Sequence, residues 1–334
     1  MFQELLILML LLAFILLIWS AYSFRSWKRQ LLTGLGKESS IALTPQGPVE
    51  YVLRGEGPVI LVIHGAPGGY DQGLLASEMW TEERFSTLAI SRPGYLGTPL
   101  SVGEVFDKQA DAIAGLLDSL SISRVAILGA SAGGPVALNF ALQYPEKLWA
   151  LIIVAGVSQP YEVREDQKSS ILGRIMLSDL FMDVGIWFFD VLTRRWPSLS
   201  LKEMLKENVT LDSEKRKDYA ESILANPGQV DWYKRFIKTT IPLSPRKYGL
   251  GNDLDQLSRV SMQGLERIQC PTLVIHGTAD GDVPFTDGKY IAESIPNARM
   301  YSLDDVGHIV WLGEHAEEMN QDILKFLREN IVAE

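Results

Sequence analysis

The chain has 334 residues, 47% of them hydrophobic, so it is long enough to bury the core of one large domain with an inserted subdomain. Its net charge of −10 argues against a nucleic-acid-binding protein, because neutralising phosphates requires a basic surface. The single cysteine, Cys270, cannot form an internal disulfide, and no cysteines and histidines have the spacing of zinc ligands. We therefore expect no metal site, and we interpret Cys270 as a buried structural thiol.

The N-terminus contains an apolar segment long enough to cross a membrane. No charged residue occurs from Leu5 to Phe24, and a helix of this length spans about 30 Å, the thickness of a bilayer's hydrocarbon core. A cleaved signal peptide would have basic residues ahead of a shorter apolar core, whereas here Glu4 precedes the run and no small-x-small cleavage site follows it. Residues 1–24 are therefore predicted to be a single-pass anchor, with residues 5–24 in the lipid bilayer.

Basic residues follow this segment directly. Arg25, Lys28 and Arg29 lie on its C-terminal side, and the positive-inside rule places that side in the cytoplasm. The bulk of the chain is therefore predicted to be cytoplasmic. Residues 25–45, which include glycines and serines, are interpreted as a tether that leads to the first strand.

Beyond the tether, short apolar runs alternate with segments of helical periodicity. Runs such as VILVI and LWALIIVAG are apolar without alternation, as expected for strands of a parallel sheet that helices cover on both faces. The chain is therefore assigned to the α/β class. Predicted strands cover residues 49–53, 59–63, 88–91, 125–128, 148–154, 272–275 and 299–303, and predicted helices cover residues 105–120, 132–143, 287–295 and 314–330.

Residues 158–268 interrupt this alternation. They contain no convincing sheet strand, and roughly 110 residues are too many for a single loop. We interpret them as a helical subdomain inserted between two parts of the core, residues 46–157 and 269–334. Its aromatic residues can form its own core and its contact with the main domain, or line an apolar pocket; they are Trp187, Phe188, Phe189, Trp196, Trp232, Tyr233 and Phe236.

Ser131 lies in a pattern that presents a nucleophile. The apolar run VAIL is followed by GASAG, with the serine at its centre, and then by a predicted helix. Gly129 and Gly133 lack a Cβ, so the strand and the helix can approach each other closely around a sharp turn. Such a serine also needs a base to accept its proton, a carboxylate to orient that base, and N–H donors for the oxyanion that forms.

Candidates for the base and the acid follow the last two predicted strands. His308 comes after the last strand, and loops at the carboxyl ends of parallel strands collect active-site residues. His276 ends a strand and is assigned a structural role, and His315 is expected to face solvent. Asp280 is preferred as the acid over Asp282 because it lies closer to the end of the strand TLVIHG. Asp280 and His308 thus complete a predicted triad with the serine, in the chain order typical of one fold.

Together these motifs resemble the α/β-hydrolase fold, in its cap-bearing serine-hydrolase branch, from about residue 49 to the C-terminus. The resemblance implies a mostly parallel central sheet flanked by helices, with a helical cap between the sixth and seventh strands of the family's sheet. It also implies that the backbone N–H groups of Ala66 and Ala132 form the oxyanion hole, and that His64 and Gly65 support the loop. The matching motifs are His64-Gly65-Ala66-Pro67-Gly68-Gly69, Ser91-Arg92-Pro93-Gly94-Tyr95, the Ser131 turn, Asp280 and Gly307-His308.

The resemblance implies a serine hydrolase that needs no cofactor. Epoxide hydrolases and haloalkane dehalogenases of this fold carry an aspartate where this chain has Ser131, which disfavours their chemistry. The expected function is hydrolysis of apolar or amphiphilic, lipid-like carboxylesters by a membrane-anchored enzyme. The alternatives are a carbon–carbon bond hydrolase, a proline iminopeptidase-like aminopeptidase, and a non-catalytic membrane-tethered scaffold. The aminopeptidase would need acidic cap residues to hold an amino terminus; the candidates Glu162, Glu165 and Asp166 can equally form a charged surface turn.

Overall fold

The computed structural model of the protein describes residues 2–81, 84–162 and 182–331. Within these residues the chain forms one eight-stranded sheet with the spatial order β1-β2-β4-β3-β5-β6-β7-β8. The strands are β1 (Ser40–Thr44), β2 (Gly47–Arg54), β3 (Val59–Ile63), β4 (Ser86–Ile90), β5 (Val125–Ala130), β6 (Leu148–Val154), β7 (Thr272–Gly277) and β8 (Ala298–Leu303).

The sheet is mostly parallel, which confirms the predicted fold class. β1 pairs antiparallel with β2, and β2 pairs antiparallel with β4. The remaining neighbours, from β4 through β3 to β8, pair in parallel. Every residue of β6 is buried, because helices cover both faces of the sheet at its centre and leave no position for a polar side chain.

Helices pack on both faces of this sheet. Helices α4, α5 and α11 contribute to the hydrophobic core on one face, and α12 together with Trp80 of α3 contributes to the core on the other. The helices of the described residues are α1 (Phe2–Gly34), α2 (Tyr70–Ala76), α3 (Glu78–Thr81), α4 (Phe106–Ser119), α5 (Gly134–Gln143), α6 (Met182–Arg195), α7 (Pro197–Asn208), α8 (Ser213–Ala225), α9 (Pro227–Thr239), α10 (Lys247–Leu257), α11 (Phe285–Ser294) and α12 (Ala316–Asn330).

The N-terminal region departs from the tether predicted over residues 25–45. Helix α1 continues past the apolar stretch to Gly34, and β1 then forms within the same segment. The helix continues because no glycine or proline interrupts it before Gly34 and because Trp27 is buried against the rest of the protein. The strand was missed because it lies at the edge of the sheet, where only Ala42 is buried. Among the described residues, α1 alone is long and apolar enough to cross a membrane.

A group of helices, α6 to α10, lies between β6 and β7, where the cap was predicted. Part of this group has a core of its own that includes Tyr233, with Trp232 and Phe236 stacked beside it at 5.4 Å between ring centroids. These aromatic residues therefore serve the packing of the cap. Phe188 and Trp196 do not, because their side chains are exposed.

We predict that Gly133→Ala lowers the free energy of unfolding by about 1–3 kcal/mol, the usual cost of overpacking. A Cβ added to Gly133 would lie 2.5 Å from the backbone oxygen of Ile63 and 2.8 Å from that of His64, and neither oxygen can move without distorting the end of β3. Urea unfolding measures this loss of free energy, and an unchanged unfolding midpoint for Gly133→Ala would contradict the prediction.

Gly251→Ala is the matched control for this variant. Gly251 is exposed within α10, and a Cβ added there would have no other atom within 4 Å. Alanine loses less conformational freedom on folding than glycine does, so this change should stabilise the protein by about 0.5–1 kcal/mol.

Candidate active site

Ser131 stands at the sharp turn between β5 and α5. Its φ angle of +50° lies in the left-handed region that side chains rarely adopt, so the turn holds the serine in a strained conformation. The two glycines around it allow this turn to form. A Cβ on Gly129 would lie 2.6 Å from the Cβ of Ala137, so only a glycine lets the helix pack against the end of the strand.

The segments that follow β5, β7 and β8 bring Ser131, Asp280 and His308 together. His308 Nε2 lies 3.1 Å from Ser131 Oγ, and His308 Nδ1 lies 2.8 Å from Asp280 Oδ2. Asp280 follows β7 and His308 follows β8, so both emerge at the carboxyl edge of the parallel strands, as Ser131 does. The three side chains thus form a continuous hydrogen-bonded chain from carboxylate to hydroxyl.

The carboxylate of Asp280 is buried and accepts hydrogen bonds on both oxygens. The backbone N–H groups of Asp282 and Val283 donate to Oδ1 at 2.8 and 2.9 Å. Oδ2 faces His308 and also His276, whose Nε2 is 3.2 Å away. Burial favours the neutral acid, but the charge of His308 and hydrogen bonds from both imidazoles outweigh it and hold the pKa of Asp280 well below its usual range.

His276 contacts Asp280 directly, which sequence reasoning did not predict. Its Nε2 lies 3.0 Å from the carbonyl oxygen of Val283 as well as 3.2 Å from Asp280 Oδ2. Both partners are acceptors, so Nε2 must carry a hydrogen. The ring is completely buried at the end of β7. It therefore fixes the position of the carboxylate and of the loop that follows it.

Asp282, the alternative acid, lies near the other nitrogen of His308. Its Oδ2 is 3.5 Å from His308 Nε2, and the hydroxyl of Tyr161 donates to its Oδ1 at 2.7 Å. The Asp282 side chain is 26% exposed, whereas that of Asp280 is fully buried. Burial lowers the pKa of His308, but attraction to Asp280 and Asp282 outweighs this and raises it to about 9.

The loop after β3 lies against the serine. A Cβ on Gly65 would lie 3.1 Å from the Cβ of Ser131, so the backbone before Ala66 comes close to this serine. His64 Nδ1 lies 2.6 Å from the carbonyl oxygen of Gly65, and its Nε2 accepts the backbone N–H of Arg92 at 3.0 Å. These partners make the imidazole neutral with its proton on Nδ1. Burial, together with the charge of Arg92, lowers the pKa of His64 well below its usual value, in agreement with this tautomer.

Two buried arginines brace this loop. Arg92 donates to the carbonyl oxygen of His64 at 3.0 Å and pairs with Asp253 on α10. Arg246, just before α10, donates to the carbonyl oxygen of Gly68 at 2.7 Å. Sequence reasoning missed Arg246 and Asp253, because each lies more than 150 residues from its partner and no local pattern marks it.

The backbone of the cap contacts the loop that carries Asp280 and the loop that carries His308. The carbonyl oxygen of Asn208 accepts hydrogen bonds from the N–H groups of Gly281 and His308, each at 3.1 Å. Val209 then pairs with Asp280 as an isolated antiparallel bridge. One peptide unit of the cap therefore joins the loop that carries the aspartate to the loop that carries the histidine.

The remaining candidate residues lie apart from this group. His315 is 45% exposed at the start of α12, as expected, and Glu162 is exposed. Glu165 and Asp166 lie outside the described residues. Cys270 is partly buried, and burial raises the pKa of its thiol to about 11. Within the described ranges, no three histidine, cysteine or acidic side chains are arranged to hold a metal ion.

Known proteins match this chain over most of its length. The model of the alpha/beta hydrolase fold family matches residues 58–314. The uncharacterized hydrolase YcgS of Bacillus subtilis (strain 168) is 29% identical over 285 residues, which are 84% of this chain and 95% of that protein. A 2-hydroxy-6-oxononadienedioate/2-hydroxy-6-oxononatrienedioate hydrolase of Burkholderia vietnamiensis is 29% identical over 297 residues, which are 84% of this chain and 91% of that protein.

A solved structure is also similar. An alpha/beta hydrolase fold protein from Nakamurella multipartita has a TM-score of 0.78 and 29% identity, and the match covers 87% of this chain and 99% of that one. The family model accounts for well over half of the chain, and the relatives match along nearly their whole length. The chain therefore belongs to the alpha/beta hydrolase fold family, and it is a serine hydrolase of that fold.

Proposed function

We propose that the protein hydrolyses a carboxylic ester through an acyl-enzyme on Ser131. The hydrogen-bonded chain from Asp280 through His308 to the strained serine carries this proposal. Ser131 Oγ attacks the acyl carbon while His308 Nε2 accepts its proton, and Asp280 stabilises the imidazolium. The tetrahedral oxyanion accepts hydrogen bonds from the N–H groups of Ala66 and Ala132.

The second half of the reaction uses the same groups. The imidazolium of His308 gives its proton to the departing alkoxide, so an alcohol leaves and the acyl group stays on Ser131. A water molecule then loses a proton to His308 and attacks the acyl carbon. Ser131 recovers that proton as the carboxylic acid departs, and the enzyme returns to its starting state. The cycle consumes one ester and one water and needs no redox group or metal.

The charge of Asp282 supports a neutral ester as the substrate. The relative from Burkholderia vietnamiensis acts, by its name, on dioates, which are dianions at neutral pH. In this chain a partly exposed carboxylate lies 3.5 Å from His308 Nε2, where it would repel an anionic group. The same carboxylate would attract an amine, so a proline amide is the second substrate class to be tested.

Residues 5–24 are proposed to anchor the enzyme in a membrane. The apolar side chains of α1 from Leu5 to Trp19 are exposed along the helix, and water is a costly environment for such a surface. The basic residues after the apolar stretch favour a catalytic domain on the cytoplasmic side of the membrane.

The orientation of the anchor can be tested in sealed inverted vesicles, whose outer face is the cytoplasmic face of the membrane. Added protease should digest a C-terminal tag without detergent. Protection of the tag would contradict this orientation.

Replacing Asp280 and Asp282 one at a time by asparagine distinguishes their roles. Asp280→Asn should lower kcat by about 10⁴-fold, because an amide cannot hold the histidine in the required tautomer or stabilise its charge. Asp282→Asn should keep kcat within about tenfold, because it leaves the hydrogen bond from His308 Nδ1 intact. Steady-state hydrolysis of p-nitrophenyl butyrate measures kcat for both variants. A large loss in Asp282→Asn with little loss in Asp280→Asn would reverse the assignment.

The pH dependence of the enzyme follows from His308. The imidazole must be neutral to accept the serine proton, and its pKa is raised to about 9, so kcat/KM should rise with pH up to about pH 9 and then level off. Asp282→Asn removes one of the two carboxylates that stabilise the imidazolium. Its profile should therefore level off at a lower pH than that of the wild type. Identical profiles for the two enzymes would show that Asp282 does not act on His308.

The substrate preference can be tested with ligands that differ in charge. We expect p-nitrophenyl butyrate to be hydrolysed at least about fivefold better than the mono-p-nitrophenyl ester of succinate, since about 1 kcal/mol of repulsion gives this factor. Asp282→Asn should lower the ratio of butyrate ester hydrolysis to succinate ester hydrolysis. A proline p-nitroanilide preferred over both esters would instead favour the aminopeptidase, and cleavage of a dienedioate alone would favour carbon–carbon hydrolysis.

If the enzyme prefers lipid-like esters, its activity should increase with the length of the acyl chain. Each methylene buried in an apolar site contributes about 0.8 kcal/mol, so kcat/KM should increase along the neutral p-nitrophenyl esters from acetate to laurate. Measurements below the critical micelle concentration of each ester separate binding from aggregation. A kcat/KM that is flat or falls along the series would contradict the preference for lipid-like esters.

A further inference from the structure

The cap exposes an unusual surface beside the N-terminal helix. This surface, here called the α6 surface, consists of Phe188, Arg194, Arg195, Trp196 and Leu199. We propose that the α6 surface lies in the lipid–water interface of the same bilayer that α1 spans. The inference rests on the proposed anchor and adds that the cap itself binds the membrane.

Helix α1 is fixed to α6 by polar contacts beyond its apolar stretch. The indole N–H of Trp27 donates to Asp190 Oδ2 at 2.7 Å, and both groups are buried. Lys28 Nζ lies 2.7 Å from Asp183 Oδ2, which is almost fully buried. A buried carboxylate without such partners would be costly, so these contacts hold the two helices in one arrangement. The cap therefore cannot take an arbitrary position relative to the anchor.

Aromatic contacts place the α6 surface close to the end of the apolar stretch. The ring of Phe24, the last residue of that stretch, contacts Trp187 with 5.9 Å between centroids. Trp187 in turn contacts Phe188, at 4.7 Å between centroids. Phe188 therefore lies about two side chains from the residue at which α1 leaves the hydrocarbon core. That depth corresponds to the interfacial region of a bilayer.

The composition of the α6 surface suits this depth. Phe188, Trp196 and Leu199 are 60%, 57% and 52% exposed, although side chains of this size are normally buried. Arg194 and Arg195 directly precede Trp196 in the chain and are also exposed, and Arg194 pairs with Asp190 Oδ2 at 3.1 Å. Aromatic residues are enriched at the level of lipid headgroups, and arginines there attract anionic phosphates. An anionic bilayer thus offers a favourable environment to the exposed apolar side chains and a partner to Arg195.

Site-directed fluorescence in the full-length protein tests the proposal. Phe188→Cys, in a Cys270→Ser background, is labelled with bimane and reconstituted in nanodiscs of phosphatidylcholine and phosphatidylglycerol. Nitroxide lipids, spin-labelled either near the headgroup or at mid-chain, then report contact by loss of emission. Trp19→Cys on α1 is the positive control, and Leu43→Cys, 81% exposed on β1, is the negative control.

We expect the label at position 188 to lose emission with the headgroup nitroxide and to lose less with the mid-chain nitroxide. The label at position 19 should be quenched by at least one of the two lipids, and the label at position 43 by neither. Quenching at 19 without quenching at 188 would overturn the proposal and leave the anchor standing. No quenching at 19 would overturn the anchor itself. A label at 188 that is shielded only by a second protein copy, seen as cross-linked dimers without quenching, would also overturn the proposal.

The contact between α1 and α6 is tested in the same assay. Trp27→Phe removes the hydrogen bond to Asp190 and keeps an aromatic ring, so quenching at position 188 should decrease. Gln30→Met is the matched control, because Gln30 is uncharged and exposed on the same helix. Labelling of Ser131 by a fluorophosphonate confirms that each variant is folded. Equal quenching in Trp27→Phe and Gln30→Met would contradict the role of this contact in holding the cap at the membrane.

Discussion

The buried carboxylate of Asp280 receives two backbone N–H groups on one oxygen and faces two imidazoles with the other. These donors keep it ionised in a site where burial alone would neutralise it. An ionised and immobile carboxylate is what orients His308 toward Ser131. The end of β7 and the turn after it must therefore fold as they do for the rest of the site to have its geometry.

Contacts of the cap also hold the loops that carry the candidate site residues. The carbonyl oxygen of Asn208 in the cap accepts hydrogen bonds from the N–H groups of Gly281 and His308. The ion pair of Arg92 with Asp253 links the cap to the loop that begins at His64. The cap is therefore a structural support of the candidate active site. In the proposed arrangement, α1 extends this connection to the membrane through Trp27 and Asp190.

Much of the core could be predicted from the sequence because its signals are local. The bounds of β3 and β6 agree with those predicted, since continuous apolar runs identify strands that are buried on both faces. The edge strand β1 could not be found in this way, because its apolar run is only three residues long and only Ala42 is buried. The helical segment from Arg25 to Gly34 was missed because the contact of Trp27 with Asp190 joins residues 163 positions apart and leaves no local signal.

The site shows the same division between local and distant signals. Ser131, Asp280 and His308 each follow a recognisable strand, and the structure brings them within hydrogen-bonding distance of one another. The contact of His276 with the acid could not be read from the strand it ends, because the sequence does not show which way an inward side chain points. Asn208 contributes only its backbone, so no residue type marks it.

The central claim is that Ser131 is an activated nucleophile. Mass spectrometry of the detergent-solubilised full-length protein after reaction with a fluorophosphonate tests it most directly. We expect one adduct, located on the peptide that contains Ser131, absent from Ser131→Ala and formed far more slowly in His308→Ala. An adduct on another residue, or none on wild-type protein that unfolds cooperatively, would contradict it.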